Sequence, residues 1–203
     1  MSSRRIDPEI TSAKQLNEVY KSLEQSESVK YVIGSMQPID PEYTANTFSE
    51  GDRVKNQLDE HLTDKCKFRY QGSVTNDTHI KAQSDIDLLV ILQKYHALEK
   101  PQVPANPYKG NPVDDMSGLR ADVIKVLQAQ FPAVTVDDSG SKSVTLEGGS
   151  LRRKIDVVPA NWFNTNKYAQ NSDEVYRGVE VFDIKTKERI PNTPFLHNAV
   201  IEV

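Results

Sequence analysis

The sequence has one cysteine, no long apolar run and no sign of a secretory leader, and each absence excludes a class of protein. Cys66 cannot form an internal disulfide, which fits a reducing compartment. No apolar stretch approaches the roughly 20 residues that a membrane helix needs. The N-terminus, MSSRRIDPEI, lacks the apolar segment of a signal peptide. We therefore expect a soluble, cytoplasmic protein without a membrane partner.

Histidine is scarce, and positive charge is outnumbered by negative charge. The four histidines are scattered, and none lies at zinc-ligand spacing from Cys66 or from another histidine. The net charge of −4 argues against a long nucleic-acid duplex as ligand, because proteins that bind one usually present a basic face. Short basic clusters could meet the phosphates of a small nucleotide, although solvated surface is the simpler interpretation of any single one. They are Lys65/Lys67/Arg69, Arg152/Arg153/Lys154 and Lys185/Lys187/Arg189.

The apolar periodicity predicts helices before and within a set of strands. Spacings of three and four residues predict helices over 12–25 and 40–64, with Gly51 as a candidate break in the second. A third helix is predicted over 114–131, with Asp114 and Asp115 as possible caps. The segment 93–112, rich in proline and asparagine, is predicted to be an exposed excursion.

Alternating apolar residues predict the strands of a mixed sheet. The predicted strands cover 67–71, 85–92, 133–136, 143–146, 151–158 and 176–182, with a turn at Gly148-Gly149. No repeat or second core is evident, so we expect one α+β domain over 1–203, a mixed sheet with helices on one side. Its N-terminal helices would occupy 1–64 and its catalytic sheet 65–203.

Three aspartates stand in apolar strands, where an uncompensated charge is costly. Asp85 and Asp87 are two residues apart and therefore project from the same face of a strand. Asp156 lies between Ile155 and Val157 in a later strand, and if the two strands are neighbours the three acids meet. Such a set suits two Mg²⁺ ions, which clamp the attacking and leaving oxygens of a phosphoryl displacement.

A glycine turn precedes the first two acids. Gly72 would let backbone N–H groups approach a triphosphate, and the Ser73 hydroxyl could donate to a phosphate oxygen. Each feature also has a plainer interpretation. Gly-Ser is commonly just a turn, Asp-x-Asp can cap a helix or hold a metal in a glycosyltransferase, and Asp156 could pair with Arg152 or Arg153. A calcium loop is disfavoured because its glycine and distal glutamate are missing.

The order of these features resembles the nucleotidyltransferase superfamily with a polymerase β-like core. More narrowly, four segments resemble the bacterial cGAS/DncV-like nucleotidyltransferases (CD-NTases), which make nucleotide signals in antiphage defence. They are QGSVTNDTHIKAQSDIDLLVIL, RKIDVVPA, RGVEVFD and PFLHN, and the resemblance covers roughly 54–198. It implies a metal-dependent, template-independent enzyme that joins nucleoside triphosphates into a cyclic or linear oligonucleotide and releases pyrophosphate.

The resemblance also assigns roles to single positions. Asp85, Asp87 and Asp156 would be the catalytic acids and would hold two Mg²⁺ ions, for which Mn²⁺ can substitute. Gly72 and Ser73 would hold the donor triphosphate, and Gln71 and Thr78 would contact phosphate or metal-bound water. Asp183 falls where the family often approaches the base, but nothing else in the sequence supports that role.

The chain departs from the family after the PFLHN segment, where family members usually continue into a C-terminal helical domain. We expect that domain to be absent or truncated here. A homo-oligomer or a partner subunit could then complete the cleft, and the product could be cyclic or linear. Two other functions stay open: nucleotide transfer onto a protein, RNA end or small molecule, and nucleotide binding without catalysis.

Overall fold

The structure is a computed structural model that describes residue 26 and residues 28–30, 41–71 and 86–196, with side chains from residue 45 in the first long helix. The helix predicted over 12–25 lies outside the described residues. Within them, no helix has the length and the apolar composition to cross a bilayer.

The described elements alternate between two long helices and a set of strands. The helices are α1 (Pro41–His61), α2 (Pro112–Gln130) and the short α3 (Asn166–Asn171), followed by a 3-10 turn at Glu174–Tyr176. The strands are β1 (Cys66–Gln71), β2 (Ile86–Leu98), β3 (Thr135–Asp137), β4 (Val144–Glu147), β5 (Ile155–Asn164), β6 (Gly178–Phe182) and β7 (Arg189–Asn192).

Within the described residues, seven strands form one mixed sheet. Five of them follow the order β1-β2-β5-β4-β3, β6 pairs with β5, and β7 pairs with β6. β2 and β5 run parallel, and the other pairs are antiparallel. β5 pairs on its other side with β4 through residues 155–157 and with β6 through residues 160–163. The sheet therefore forks at Val158-Pro159, where proline has no N–H to donate to a ladder.

Alternation along the strands assigns the two faces of the sheet. Ile86, Leu88, Val90 and Leu92 of β2 join the main core under α1 and α2. The intervening Leu89 and Ile91 belong to a smaller core on the other face, with Trp162 at its centre. The mixed sheet with its two long helices on one side confirms the predicted fold class, whereas the division into 1–64 and 65–203 stays a prediction.

Several local predictions were wrong, and each error has a physical cause. α1 continues through Gly51, whose missing side chain makes room for the Tyr70 ring, since a Cβ there would lie 2.8 Å from Cε1. α2 is capped by Asn111, whose side chain accepts from the Val113 amide, so Asp114 and Asp115 lie in its first turn instead.

The strand boundaries also differ from the prediction. β2 continues to Leu98, so the predicted excursion begins later than residue 93. β5 begins at Ile155 rather than at residue 151, because the Leu151 amide closes a turn on Gly148 and its side chain packs in the main core. α3 and β7 were not predicted.

A set of four polar residues, which we call the paired cluster (Tyr95, Asn161, Glu180 and Arg189), lies beyond the fork. The Asn161 side chain is fully buried and donates to Glu180 at 3.0 Å. Arg189 pairs with the same Glu180 oxygen at 3.0 Å, and the Tyr95 hydroxyl donates to the side-chain Oδ1 atom of Asn161 at 3.3 Å. Each member therefore has a partner inside the cluster.

Candidate active site

A row of four side chains, which we call the acid row (Gln71, Asp87, Asp156 and Thr145), crosses four adjacent strands. In the strand register Gln71 is opposite Asp87, Asp87 is opposite Asp156, and Asp156 is opposite Thr145. Residues opposite each other in a sheet project from the same face. The two carboxylates thus come from neighbouring strands about 4.8 Å apart and lie on the face away from α1 and α2.

The neighbours of each acid explain why this face carries polar groups. On β1, Cys66, Phe68 and Tyr70 point into the main core, which leaves Gln71 on the opposite face. On β4, Val144 and Leu146 are buried in the main core, and the Thr145 between them therefore points to the acid side. The same alternation on β5 places Asp156 between the buried Ile155 and Val157.

Asp156 makes one polar contact with Thr145 of the row and one with Lys154, which is outside it. The Thr145 hydroxyl donates to its Oδ1 atom, and the Lys154 ammonium lies 3.2 Å from its Oδ2 atom. The side chain of Asp156 is 17% exposed and that of Lys154 is 37% exposed. Lys154, and not Arg152 or Arg153, is therefore the described ion-pair partner of this acid.

The acid row borders an open cavity of about 320 Å³. Its polar lining consists of Gln71, Asp87, Lys142, Ser143, Asp156 and Asn192, and apolar side chains of β5, β6 and β7 complete it. The Gln71 Oε1 atom is buried and has no hydrogen-bond partner within the described part of the chain. A buried acceptor without a donor is costly, so this oxygen suits a ligand that brings a donor or a cation.

The donor set of this site is made of hard oxygen ligands. Carboxylate and amide oxygens are the ligands that Mg²⁺ prefers, and thiol or imidazole groups do not line the cavity among the described residues. The described residues contain no group of three acid, histidine or cysteine side chains arranged around one metal position. Asp85 is outside the described residues. Of the three predicted acids, Asp87 and Asp156 are described, and their side chains on the same face of the sheet fit a divalent cation.

The structure brings together three of the seven predicted site residues, Gln71, Asp87 and Asp156. The other four, Gly72, Ser73, Thr78 and Asp85, lie outside the described residues. Asp183 does not line the cavity. Burial alone would raise the pKa of Asp183, but hydrogen bonds from the Thr186 amide, the Ser141 hydroxyl and the Lys185 amide hold that pKa below its usual value. This acid stabilises the turn after β6.

The chain is similar in sequence to cyclic dinucleotide synthases and in fold to a solved structure. The chain is 40% identical over 171 residues to the cyclic dinucleotide synthase CdnE of Yersinia aleksiciae, covering 84% of this chain and 45% of that protein. It is 30% identical to a c-di-GMP synthase of a Lachnospiraceae bacterium, covering 76% of this chain and 51% of that protein. The structure of a STING-associated CdnE c-di-GMP synthase from Flavobacteriaceae sp. superposes with a TM-score of 0.74 at 22% identity. That superposition covers 95% of this chain and 66% of the solved one.

This chain belongs to the CD-NTase family of nucleotidyltransferases. No family model matches it. The chain spans about half the length of the curated relatives that it matches.

Several residues of this candidate site were not found from the sequence. Lys142 and Ser143 directly precede β4, Thr145 lies in β4, and Asn192 ends β7; the first two and Asn192 line the cavity, and Thr145 donates to Asp156. Thr145 had a usable signal, because its neighbours Val144 and Leu146 are apolar and the alternation places it on the polar face. Its pairing with Asp156 had none, since the seven residues between β4 and β5 are too many for a tight hairpin to fix the register.

Two of the three basic clusters have an arginine that pairs with a glutamate elsewhere in the chain. Arg69 pairs with Glu174 at 2.6 Å, and Arg189 pairs with Glu180, so neither of these ion pairs involves an acid of the acid row. Cys66 is partly buried at the start of β1, and burial with the nearby Asp64 and Asp59 raises the pKa of its thiol to about 12. The thiol is therefore neutral in the physiological range and acts as a small apolar side chain.

Proposed function

We propose that this chain is the catalytic core of a divalent-metal-dependent, template-independent nucleotidyltransferase. It would join nucleoside triphosphates into a cyclic or linear oligonucleotide signal, and its biological context would be antiphage defence. The parallel register that sets Asp87 beside Asp156 is the observation that carries the proposal. Its similarity to cyclic dinucleotide synthases supports the same reaction class.

The proposed reaction forms one phosphoester bond and breaks one phosphoanhydride bond. A ribose hydroxyl of one nucleotide attacks the α-phosphorus of a second nucleoside triphosphate. The new oxygen–phosphorus bond replaces the bond to the β-phosphate, pyrophosphate leaves, and the hydroxyl proton passes to solvent. Positioning and charge stabilisation supply most of the rate enhancement of such transfers.

The acids would hold the divalent cations on which this transfer depends. Asp87 and Asp156 would be ligands together with Asp85, and we propose two Mg²⁺ ions, replaceable by Mn²⁺. When bound, the two ions neutralise phosphate charge and stabilise the attacking and leaving oxygens. The unpartnered Gln71 oxygen would accept a hydrogen bond from metal-bound water or from a substrate hydroxyl at the same edge. Gly72, Ser73 and Thr78 keep their predicted role beside the triphosphate.

The test is a reaction with each of the four NTPs or dNTPs, alone and mixed, in the presence of Mg²⁺ or Mn²⁺. Pyrophosphate release and mass spectrometry of the products identify both the reaction and the linkage. We expect a new oligonucleotide in wild type and none in Asp85→Asn/Asp87→Asn or in Asp156→Asn, since a neutral amide lacks the negative charge with which a carboxylate balances a divalent ion. Asp183→Asn is the matched control, because this acid lies outside the cavity.

The outcomes separate the alternatives. Label transferred to protein, RNA or a small molecule would replace the signal-synthesis proposal with nucleotide modification. Nucleotide binding without pyrophosphate release would indicate a binding module. If specific activity rises with protein concentration, a second copy of the chain completes the cleft. Product formed equally well by the aspartate variants would refute the assignment of the site.

A further inference from the structure

The two carboxylate oxygens of Asp156 have different partners. Its Oδ1 atom accepts from the Thr145 hydroxyl, and its Oδ2 atom is paired with the Lys154 ammonium at 3.2 Å. One partner comes from the neighbouring strand β4, and the other comes from the residue just before β5. The two oxygens are therefore controlled from different elements of the fold.

Thr145 is a fixed partner. Its Cα is directly opposite that of Asp156, in a strand whose flanking residues Val144 and Leu146 have no exposed surface. A β-branched side chain on such a strand has few accessible rotamers. A neutral hydroxyl also adds no charge that would compete with a cation. Thr145 thus orients the carboxylate without occupying the oxygen that faces Lys154.

Lys154 is an exchangeable partner. Its side chain is long and 37% exposed, and an ion pair between partly exposed groups is weak because solvent screens it and side-chain ordering opposes it. A divalent cation carries twice the charge of an ammonium group and interacts with hard carboxylate oxygens directly. It can therefore displace Lys154 from Oδ2 at modest cost.

We propose that Thr145 is a positioning residue that fixes Oδ1 of Asp156, and that Lys154 is a counter-ion that covers Oδ2 until a divalent cation binds. The inference rests on the proposed function, since it requires a cation at the acid row. It assigns opposite effects to two neighbours of one carboxylate. Loss of the Thr145 hydroxyl weakens cation binding, and loss of the Lys154 ammonium strengthens it.

The test is a Mn²⁺ titration of the 203-residue chain without nucleotide, with free Mn²⁺ measured by its electron paramagnetic resonance signal. We expect Thr145→Val to weaken binding about ten-fold, the lower end of the effect of removing a group that orients a metal ligand. Thr145→Ser keeps the hydroxyl and should bind within about two-fold of wild type. We expect Lys154→Met to bind about two- to five-fold more tightly, the range of an exposed ion pair.

Two controls separate this mechanism from general charge and from misfolding. Lys142→Met removes the same charge from a residue that lines the cavity, but Lys142 acts on Asp183, so its effect on Mn²⁺ affinity should stay below about two-fold in physiological salt. Urea unfolding of each metal-free variant checks that the chain is folded. The serine variant also restores the hydroxyl without the methyl group of threonine.

Two different failures are distinguishable. If wild type binds no Mn²⁺, or if Asp156→Asn binds as well as wild type, the cation site of the proposed function is wrong and this inference is wrong with it. If Asp156→Asn loses binding while Thr145→Val and Lys154→Met change the affinity in the same direction, or not at all, only the division of the carboxylate is overturned.

Discussion

The two polar groups on β5, the acid row and the paired cluster, lie on opposite sides of the fork and follow opposite rules. In the paired cluster the charge of Glu180 is neutralised at 3.0 Å by Arg189, and Asn161 fills a remaining hydrogen-bonding position. In the acid row two carboxylates of the same sign lie side by side across parallel strands. The charge of Glu180 is balanced by a partner inside the chain, whereas two adjacent carboxylates, one of them paired with the partly exposed Lys154, can also accept a divalent cation.

The largest expected effect comes from breaking the paired cluster. Glu180→Leu removes the carboxylate that pairs with Arg189 and one of the two acceptors of the Asn161 amide, and we expect a loss of about 3 kcal/mol in the free energy of unfolding. Urea denaturation measures it. The control is Glu174→Leu, which breaks the Arg69 pair at a side chain that is 44% exposed and should cost less than about 1 kcal/mol. Equal losses in the two variants would show that burial does not distinguish these ion pairs.

A smaller loss should follow Asn161→Leu. This change removes the amide that donates to Glu180 and accepts from Tyr95, and we expect a cost of about 2 kcal/mol. A double-mutant cycle with Glu180→Leu should give a coupling energy of about 1 kcal/mol or more, because the residues share a hydrogen bond. Additive losses would mean that the four residues do not act as one cluster.

Removing a charge from the acid row should change the free energy of unfolding much less than removing one from the paired cluster. Asp156→Asn loses the Lys154 pair but relieves repulsion from Asp87, so we expect the metal-free unfolding free energy to change by less than about 1 kcal/mol. The same variant should form no oligonucleotide product. A loss as large as that of Glu180→Leu would assign Asp156 a mainly structural role and would remove the contrast between the two groups.

The smallest effect is a pH dependence that belongs to the paired cluster. Burial raises the pKa of Tyr95 to about 12, with Arg189 acting to lower it and Glu180 to raise it. Because the phenol is neutral when protonated, the stability that this shift contributes is complete below about pH 10 and is lost as the pH rises towards 12. Tyr95→Phe should therefore lose less stability than wild type over that interval.

Tyr70 must be considered in the same measurement. Burial and its hydrogen bond to Asp52 also raise the pKa of Tyr70, so wild type and Tyr95→Phe will both lose stability at high pH. The difference between the two unfolding curves is the diagnostic quantity. If that difference is constant from pH 9 to pH 12, the Tyr95 hydroxyl does not titrate with folding.

The sequence predicted the features that depend only on a residue and its immediate neighbours in the chain. An aspartate between Ile86 and Leu88, and another between Ile155 and Val157, indicated two polar positions in apolar strands without any knowledge of pairing. The glycine pair at 148–149 also predicted a turn, and Gly149 has a φ of 58° with the Ala133 carbonyl oxygen where a side chain would begin.

The sequence could not supply contacts that depend on which strands are neighbours. Glu180 is buried and bound to Asn161 and Arg189, because β6 lies between β5 and β7, and the local sequence of β6 does not specify either neighbour. Asn161 was overlooked for the same reason. Thr145 became part of the site only through the register of β4 on β5, which no local pattern specifies.

At Asp156, β5 pairs with β2 on one side and with β4 on the other, so this acid occupies an interior strand position. Sliding β5 by a single residue would turn Asp156 into the hydrophobic layer beneath the helices and expel Ile155 and Val157 into water. A fold with this one-residue slip would therefore be much less stable than the native fold, because it buries a charge and exposes two core side chains. We therefore expect every folded molecule to have Asp156 in the same position. Loss of activity in a folded variant should then reflect altered chemistry rather than a slipped strand.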